Sequence, residues 1–187
     1  MCDHQFDFKS GWSTSGANAE FTDSININEK FIEFYLNFSK TFDTVNFDKL
    51  LEKLSFMGIR NNVNDWFRSF LSRREYFVAI GEGVSTVYES RLGVPQGAVL
   101  APLLFLIYVN DMYKACPSLD VIHFADDTTA FIRGDNLNEL LTTINHQLNF
   151  INTWLQCNRL TWNIQKNSYM VFGPGDVTLN MCINNIN

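Results

Sequence analysis

Two adjacent carboxylates, Asp126 and Asp127, stand between the short apolar runs Val121–Phe124 and Thr128–Ile132. Runs of that length divided by turn-forming acids read as two strands of a hairpin, which would carry both carboxylates at its tip with little steric cover. Magnesium takes a few carboxylates and completes its shell with water and substrate phosphates, so an exposed acidic pair suits metal-dependent nucleotide chemistry. Asp is also a good turn former, and by itself the pair is more often structural than catalytic. A second constellation precedes it. In Gly93-Val94-Pro95-Gln96-Gly97, Gly and Pro fix a tight backbone approach, and Gln96 offers a neutral amide where the apolar run from Ala98 to Tyr113 begins. That combination suits holding a nucleotide or a base pair.

The elements that must position these groups follow from hydrophobic spacing. Phe31–Phe38 is an apolar-aromatic run of strand length, and Phe47, Leu50, Leu51, Leu54 and Met57 recur at helical spacing up to Gly58. A second helix is expected over Val63–Leu71, then two strands, Tyr76–Ile80 and Val84–Leu92, turning at Gly81-Glu82-Gly83. Ala98–Tyr113 is long enough for a buried helix. Asn136–Cys157 is amphipathic, and Asn136 with Glu139 resembles a capping box. Further expectations are a polar helix over residues 13–28 and two closing strands, Ser168–Phe172 and Val177–Ile183, separated by Gly173-Pro174-Gly175. Local antiparallel pairs mixed with helices give an α+β layer, a sheet with helices on one face.

Composition narrows the function. With 187 residues, 46% of them hydrophobic and 14% aromatic, the chain can bury a core and is not a disordered segment. A formal net charge of -6 argues against a free-standing nucleic-acid-binding surface, which needs clustered Lys and Arg. The four cysteines are scattered without a C-x-x-C pair, so a zinc site is not expected. The polar N-terminus lacks the pattern of a secretory signal, and no apolar run reaches the length of a membrane span, so an intracellular protein of cytoplasm or nucleus is expected, with no membrane partner.

The string GVPQGAVLAPLLFLIYVNDM from Gly93 to Met112, followed by FADD, resembles the reverse transcriptases of non-LTR (LINE-type, Jockey-like) retrotransposons. The likeness extends back through Phe38-Ser39-Lys40-Thr41-Phe42-Asp43-Thr44-Val45-Asn46 and the segments around Lys9 and Ser13. Forward it reaches Asn158-Arg159-Leu160 and Asn163-Ile164-Gln165-Lys166, so nearly the whole chain follows the family's order. The resemblance implies a right-hand polymerase palm, an antiparallel sheet backed by helices, with partial fingers and no thumb. Residues 1–30 would be a fingers remnant and residues 31–187 mainly palm, with a fingers insertion near residues 58–92.

The implied activity is RNA-directed DNA polymerisation on an RNA template and a DNA primer, consuming deoxynucleoside triphosphates with two Mg2+ ions. Asp126 then matches a direct metal ligand, Asp127 an auxiliary carboxylate, and Lys166 a basic residue that assists pyrophosphate departure. Phe42 matches the bulky residue below the incoming sugar, Gln96 and Gly97 the motif that touches the nucleotide, and Lys9 stands where the fingers usually carry Arg. Singly, Phe42 reads as core packing and Lys166 as a solvated charge; their order along the chain carries the likeness.

One departure bears on catalysis. The family places its first metal-binding Asp in a Leu-Asp-Phe-Ser-Lys pattern, where this chain reads Leu36-Asn37-Phe38-Ser39-Lys40. An amide oxygen can coordinate a metal but brings no negative charge, so reduced or absent activity is expected. Two other readings stay open: a non-catalytic binding module retained by a host, and a decaying element copy. A nucleotidyl cyclase shares a palm but calls for neither Pro95-Gln96-Gly97 nor Phe42.

Overall fold

A computed structural model describes residues 30–124 and 127–173. Lys9, Asp126, the helix expected over residues 13–28 and the strand expected over Val177–Ile183 lie outside the described residues. In chain order the described elements are β1 (Lys30–Leu36), α1 (Thr41–Thr44), α2 (Phe47–Phe56), α3 (Asn62–Leu71), β2 (Arg74–Tyr76), β3 (Ala79–Ile80), β4 (Gly83–Val84), β5 (Tyr88–Ser90), α4 (Ala101–Val109), a 3-10 turn (Met112–Ala115), β6 (Asp120–Phe124), β7 (Asp127–Gly134), α5 (Leu137–Cys157) and β8 (Ser168–Phe172). The described residues divide into two compact units, residues 30–39 with 110–124 and 127–173, and residues 40–109.

The first unit is built on an antiparallel sheet of order β6-β7-β1-β8. Aromatic and branched residues give β1 its extended form, and its period of two sorts them by face. Ile32, Phe34 and Leu36 are buried on one face, level with Ala130 and Thr128 of β7. A Cβ built on Gly134 would lie 3.2 Å from the Leu140 side chain, which identifies this as the face that α5 covers. The opposite face carries Phe31, Glu33 and Tyr35, and the Phe31 ring packs on Phe131 at 5.3 Å and on Phe172 at 5.8 Å. Helix α5 buries Leu140, Ile144, Leu148, Ile151 and Leu155 along one face, with Leu137, Leu141 and Trp154 half-buried beside them. Its start is capped as read from sequence: the Asn136 side-chain oxygen accepts from the Asn138 backbone amide at 3.0 Å. The Asn136 amide donates to Glu139 at 2.8 Å, a side-chain variant of the capping box.

In the second unit, α2 and α3 pack together, and α2 packs on α4. Asn46 caps α2 by accepting from the Lys49 amide at 3.1 Å, and the helix gives way at Gly58, whose φ of +92° suits glycine. Leu50, Leu51 and Leu54 form its buried stripe. Two expectations shift. The apolar run is helical only over Ala101–Val109, because Pro102 fits the first turn of a helix and not its interior, and the segment before it is a chain of turns. The hairpin of residues 74–90 is four short strands paired as β2–β5 and β3–β4. Ser85 breaks the ladder: its hydroxyl accepts from the Val78 amide at 2.9 Å, a local bond that competes with regular pairing.

Candidate active site

In the first unit, β1 and β7 are in register up to Leu36 opposite Thr128, so the next step along each strand brings Asn37 and Asp127 to facing positions. The backbone of Asn37 is held from the far end of the chain. Its N–H donates to the Asn167 side-chain oxygen at 2.7 Å, and its carbonyl accepts from the Asn163 amide at 2.9 Å. Ser39 continues the seam, donating through its amide to the Thr161 carbonyl at 2.9 Å and through its hydroxyl to the Trp162 carbonyl at 3.1 Å. Phe38 forms a bridge with Trp162 and packs against its ring at 5.7 Å. Residues 37–39 are therefore fixed by backbone bonds at the mouth of the sheet. Below the hairpin tip, buried His123 Nδ1 lies 3.0 Å from the Thr128 hydroxyl, bracing both strands where they turn.

A pocket of about 410 Å³ opens here, lined by Tyr35, Leu36, Asn37, Asp127, Thr128, Thr129, Lys166 and Ser168. Asn37, Asp127 and Lys166, far apart in sequence, thus share one cavity. Asp127 and Lys166 are exposed and Asn37 is half-buried. Among the described residues, the acid and the cation that line the pocket are one carboxylate, Asp127, and one ammonium, Lys166. Among the described residues no three of His, Cys, Asp and Glu cluster closely enough to hold a metal. The oxygen donors of Asn37 and Asp127 fit a single hard cation in kind, and fall short of two dications in charge. Four residues back on the same strand face, Glu33 is buried, and burial pushes its carboxyl above the usual range. The Glu33–Tyr35 contact and burial together push the Tyr35 hydroxyl up to about 12, burial contributing most.

In the second unit, the residues singled out from sequence form a ladder. The Val94 amide donates to the Phe42 carbonyl at 2.9 Å and the Gly93 amide to the Val45 carbonyl at 2.8 Å, stitching α1 to the turn of residues 93–97. The two segments touch so closely that a Cβ on Gly93 would sit 2.8 Å from the Asp43 backbone. The half-buried Phe42 ring stacks on Phe105 of α4 with centroids 4.4 Å apart. Gln96 does not begin the helix as its sequence position suggests. It lies in the preceding turn, where its amide donates to Asp43 at 2.7 Å. Gly97 follows with φ +85° and open space around it. Arg74 holds the other side of the turn: its Nε donates to the Leu71 carbonyl at 2.9 Å, a terminal nitrogen donates to the Gly93 carbonyl, and the guanidinium lies over the Phe47 ring. A cleft of about 870 Å³ bordered by Asp43, Arg74, Tyr76, Glu89, Arg91 and Gln96 lies within this unit.

Residues 1–178 match the family described as Reverse transcriptase (RNA-dependent DNA polymerase). The chain belongs to the reverse transcriptase family. Curated relatives of this reverse transcriptase domain come from Drosophila melanogaster. The probable RNA-directed DNA polymerase from transposon BS is 26% identical over 189 residues, covering 92% of this chain and 20% of the relative. The RNA-directed DNA polymerase from mobile element jockey is 26% identical over 108 residues, 54% of this chain and 11% of the relative. The chain thus spans a minor part of the length of these relatives, whose origin places it with the non-LTR retrotransposon enzymes. Among solved structures, telomerase from Candida tropicalis, in complex with a TWJ fragment of telomeric RNA, superposes with a TM-score of 0.66 at 12% identity. That match covers 90% of this chain and 30% of the telomerase. Apo telomerase from the same organism, truncated from its C-terminal domain, gives a TM-score of 0.64 at 14% identity, covering 93% and 37%. At such identities the likeness speaks for the fold, a partial palm-like arrangement of antiparallel sheet and helices.

Sequence reading of this reverse transcriptase domain missed the residues that act on its site residues. Asn163 and Asn167 hold Asn37, Asp43 holds Gln96, and Arg74 ties Gly93. Asn167 follows Lys166 directly, but nothing in its type distinguishes it from other loop asparagines. The Arg74 guanidinium is engaged with the backbone carbonyls of Leu71 and Gly93. No helix among the described residues is long and apolar enough to cross a membrane.

Proposed function

We propose that this chain is a nucleotidyl-transferring domain of an RNA-directed DNA polymerase, extending a DNA primer on an RNA template with deoxynucleoside triphosphates, and that Asn37 holds its activity low. The observation that carries this reading is the shared pocket of Asn37, Asp127 and Lys166, formed where β1 and β7 end. Asn37 and Asp127, with Asp126, are the residues that would hold Mg2+. A metal held by these residues would supply Lewis acidity toward the primer hydroxyl and positive charge against the phosphorus and the leaving pyrophosphate. Lys166 presents its ammonium to the triphosphate and can give a proton to the departing pyrophosphate. Phe42, fixed against Phe105, excludes a ribose 2'-hydroxyl by contact, while Gln96 and Gly97 meet the nucleotide and Lys9 adds charge from the fingers. With an amide at position 37 the site lacks one of its principal carboxylates. Transition-state stabilisation falls by several kcal/mol, on the order of a thousandfold in rate.

Primer extension by the wild-type chain and by Asn37→Asp, each with magnesium and with manganese, tests the reading. Weak or no extension by the wild type and at least a hundredfold gain in the variant is the expected result. Robust wild-type extension would overturn the claim of impairment. Failure of both proteins would show that the missing carboxylate is not what limits activity, and would favour the second reading, a non-catalytic module, to which Asn37 also points.

A further inference from the structure

We infer that Asp43 is a positioning residue whose carboxylate fixes the orientation of the Gln96 amide in the second unit. An unrestrained glutamine amide can turn over and exchange its donor and acceptor edges. Here Gln96 Nε2 donates to Asp43 Oδ1 at 2.7 Å, a short charge-assisted bond. A carboxylate only accepts, so the bond commits the nitrogen to Asp43 and leaves the carbonyl oxygen and one amide hydrogen for a ligand. The opposite orientation would set two oxygens against each other.

The backbone makes the pairing one of fixed geometry. Asp43 sits on α1, which is stitched to the Gly93–Gln96 turn by two hydrogen bonds, Val94 to Phe42 and Gly93 to Val45. Gly93 lets the two backbones approach until a Cβ would collide with Asp43 itself. Arg74 donates to the Gly93 carbonyl from the other side, so the turn cannot drift away from Asp43. Both side chains are solvent-exposed at the border of the unit's cleft, so the bond is not needed to fill a core. Its evident consequence is the presentation of one defined edge of Gln96. The functional half of this inference rests on the nucleotide contact proposed for Gln96, and names the residue that sets that contact's polarity.

Two measurements test it. In 15N-labelled protein, the Gln96 side-chain amide protons are expected to be dispersed and restricted. They should collapse to free-amide positions in Asp43→Ala and persist in Asp43→Asn, whose carbonyl can still accept. Unchanged resonances in Asp43→Ala would overturn the pairing. For the functional half, dATP binding is measured with the chain on a dideoxy-terminated DNA primer annealed to an RNA template with a templating uracil. Gln96→Ala and Asp43→Ala are each expected to weaken binding about tenfold, and the double variant no further, because one residue acts through the other. Weakening by Gln96→Ala alone, or additive losses, would refute positioning by Asp43. If Gln96→Ala leaves binding unchanged, the nucleotide contact fails and the functional half with it, while the resonance measurement still decides the pairing.

Discussion

Replacing Gly93 by Ala isolates the close approach between α1 and the turn of residues 93–97. Two costs combine. At φ +81° an alanine occupies the left-handed region, worth about 1–2 kcal/mol. Its Cβ would also lie 2.8 Å from both the Cα and the carbonyl oxygen of Asp43 and 2.9 Å from its carbonyl carbon, all of them backbone atoms that cannot swing aside. Overpacking of that kind costs about 1–3 kcal/mol, so the total is roughly 2–5 kcal/mol. Against a domain stability of about 5–15 kcal/mol, that is a large fraction. Gly58→Ala is the matched control, since Gly58 has φ +92° with nothing within 4 Å of its would-be Cβ, and carries the conformational cost alone. In urea denaturation with an m-value of about 2 kcal/mol per M, Gly93→Ala should lower the midpoint by roughly 1–2.5 M and Gly58→Ala by about 1 M or less. Trp66 fluorescence reports on the same unit. Equal shifts in the two variants would show that the Gly93–Asp43 contact is not tight, and would remove the geometric basis for the Asp43–Gln96 pair.

Arg74→Lys should destabilise the chain by about 1–3 kcal/mol in the same denaturation assay, because a point ammonium cannot serve the Leu71 and Gly93 carbonyls together as the guanidinium fork does. Within the continuous apolar run, Leu104→Ala should cost about 2–5 kcal/mol and its 43% exposed neighbour Leu103→Ala under about 1 kcal/mol, measured the same way. Glu33→Gln should flatten the dependence of stability on pH. Burial raises the Glu33 carboxyl above its ordinary value of 4.5, so its stabilising contribution is complete below that pH and is lost as pH rises through the elevated value. Thermal melts should therefore place the variant above wild type at pH 7 and level with it at pH 4.

Periodic segments were legible from sequence wherever one face of an element is buried. Helix α5 runs over Leu137–Cys157 behind its Asn136 cap, and α2 ends beside Gly58 as its leucine spacing and that glycine indicate. The apolar run was legible as a helix but not in extent, because from Ala98 to Val109 it has no polar residue and so no phase from which to read where packing begins; Pro102 set its start. The hairpin of residues 74–90 was legible as a turn and not as four pieces, since Ser85's choice of a side-chain bond over a ladder bond depends on the local backbone. Of the candidate site, Asn37, Asp127 and Lys166 were each identified in sequence, and their meeting in one pocket follows from register. The groups that orient them were not. Asn163, Asn167 and Arg74 engage backbone carbonyls and amides, and Asp43 engages the Gln96 side chain; such partnerships leave no spacing pattern in the chain.

The central position of β1 has a consequence for how the chain is made. Its two neighbours in the sheet both come much later: Phe34 lies opposite Ala130 on β7 and Tyr169 on β8, and Tyr35 reaches Met170 across 135 residues. No local hairpin can shelter Phe31–Leu36 in the meantime. At a synthesis rate of about 5–20 residues per second, this aromatic strand emerges from the ribosome with both edges bare for on the order of ten seconds. The pocket around Asn37 is complete only when β8, the last of the described strands, arrives. Any shortening of the chain before Ser168 would thus leave an adhesive, unmated strand, and chaperone occupancy of nascent chains should peak between the emergence of β1 and that of β8.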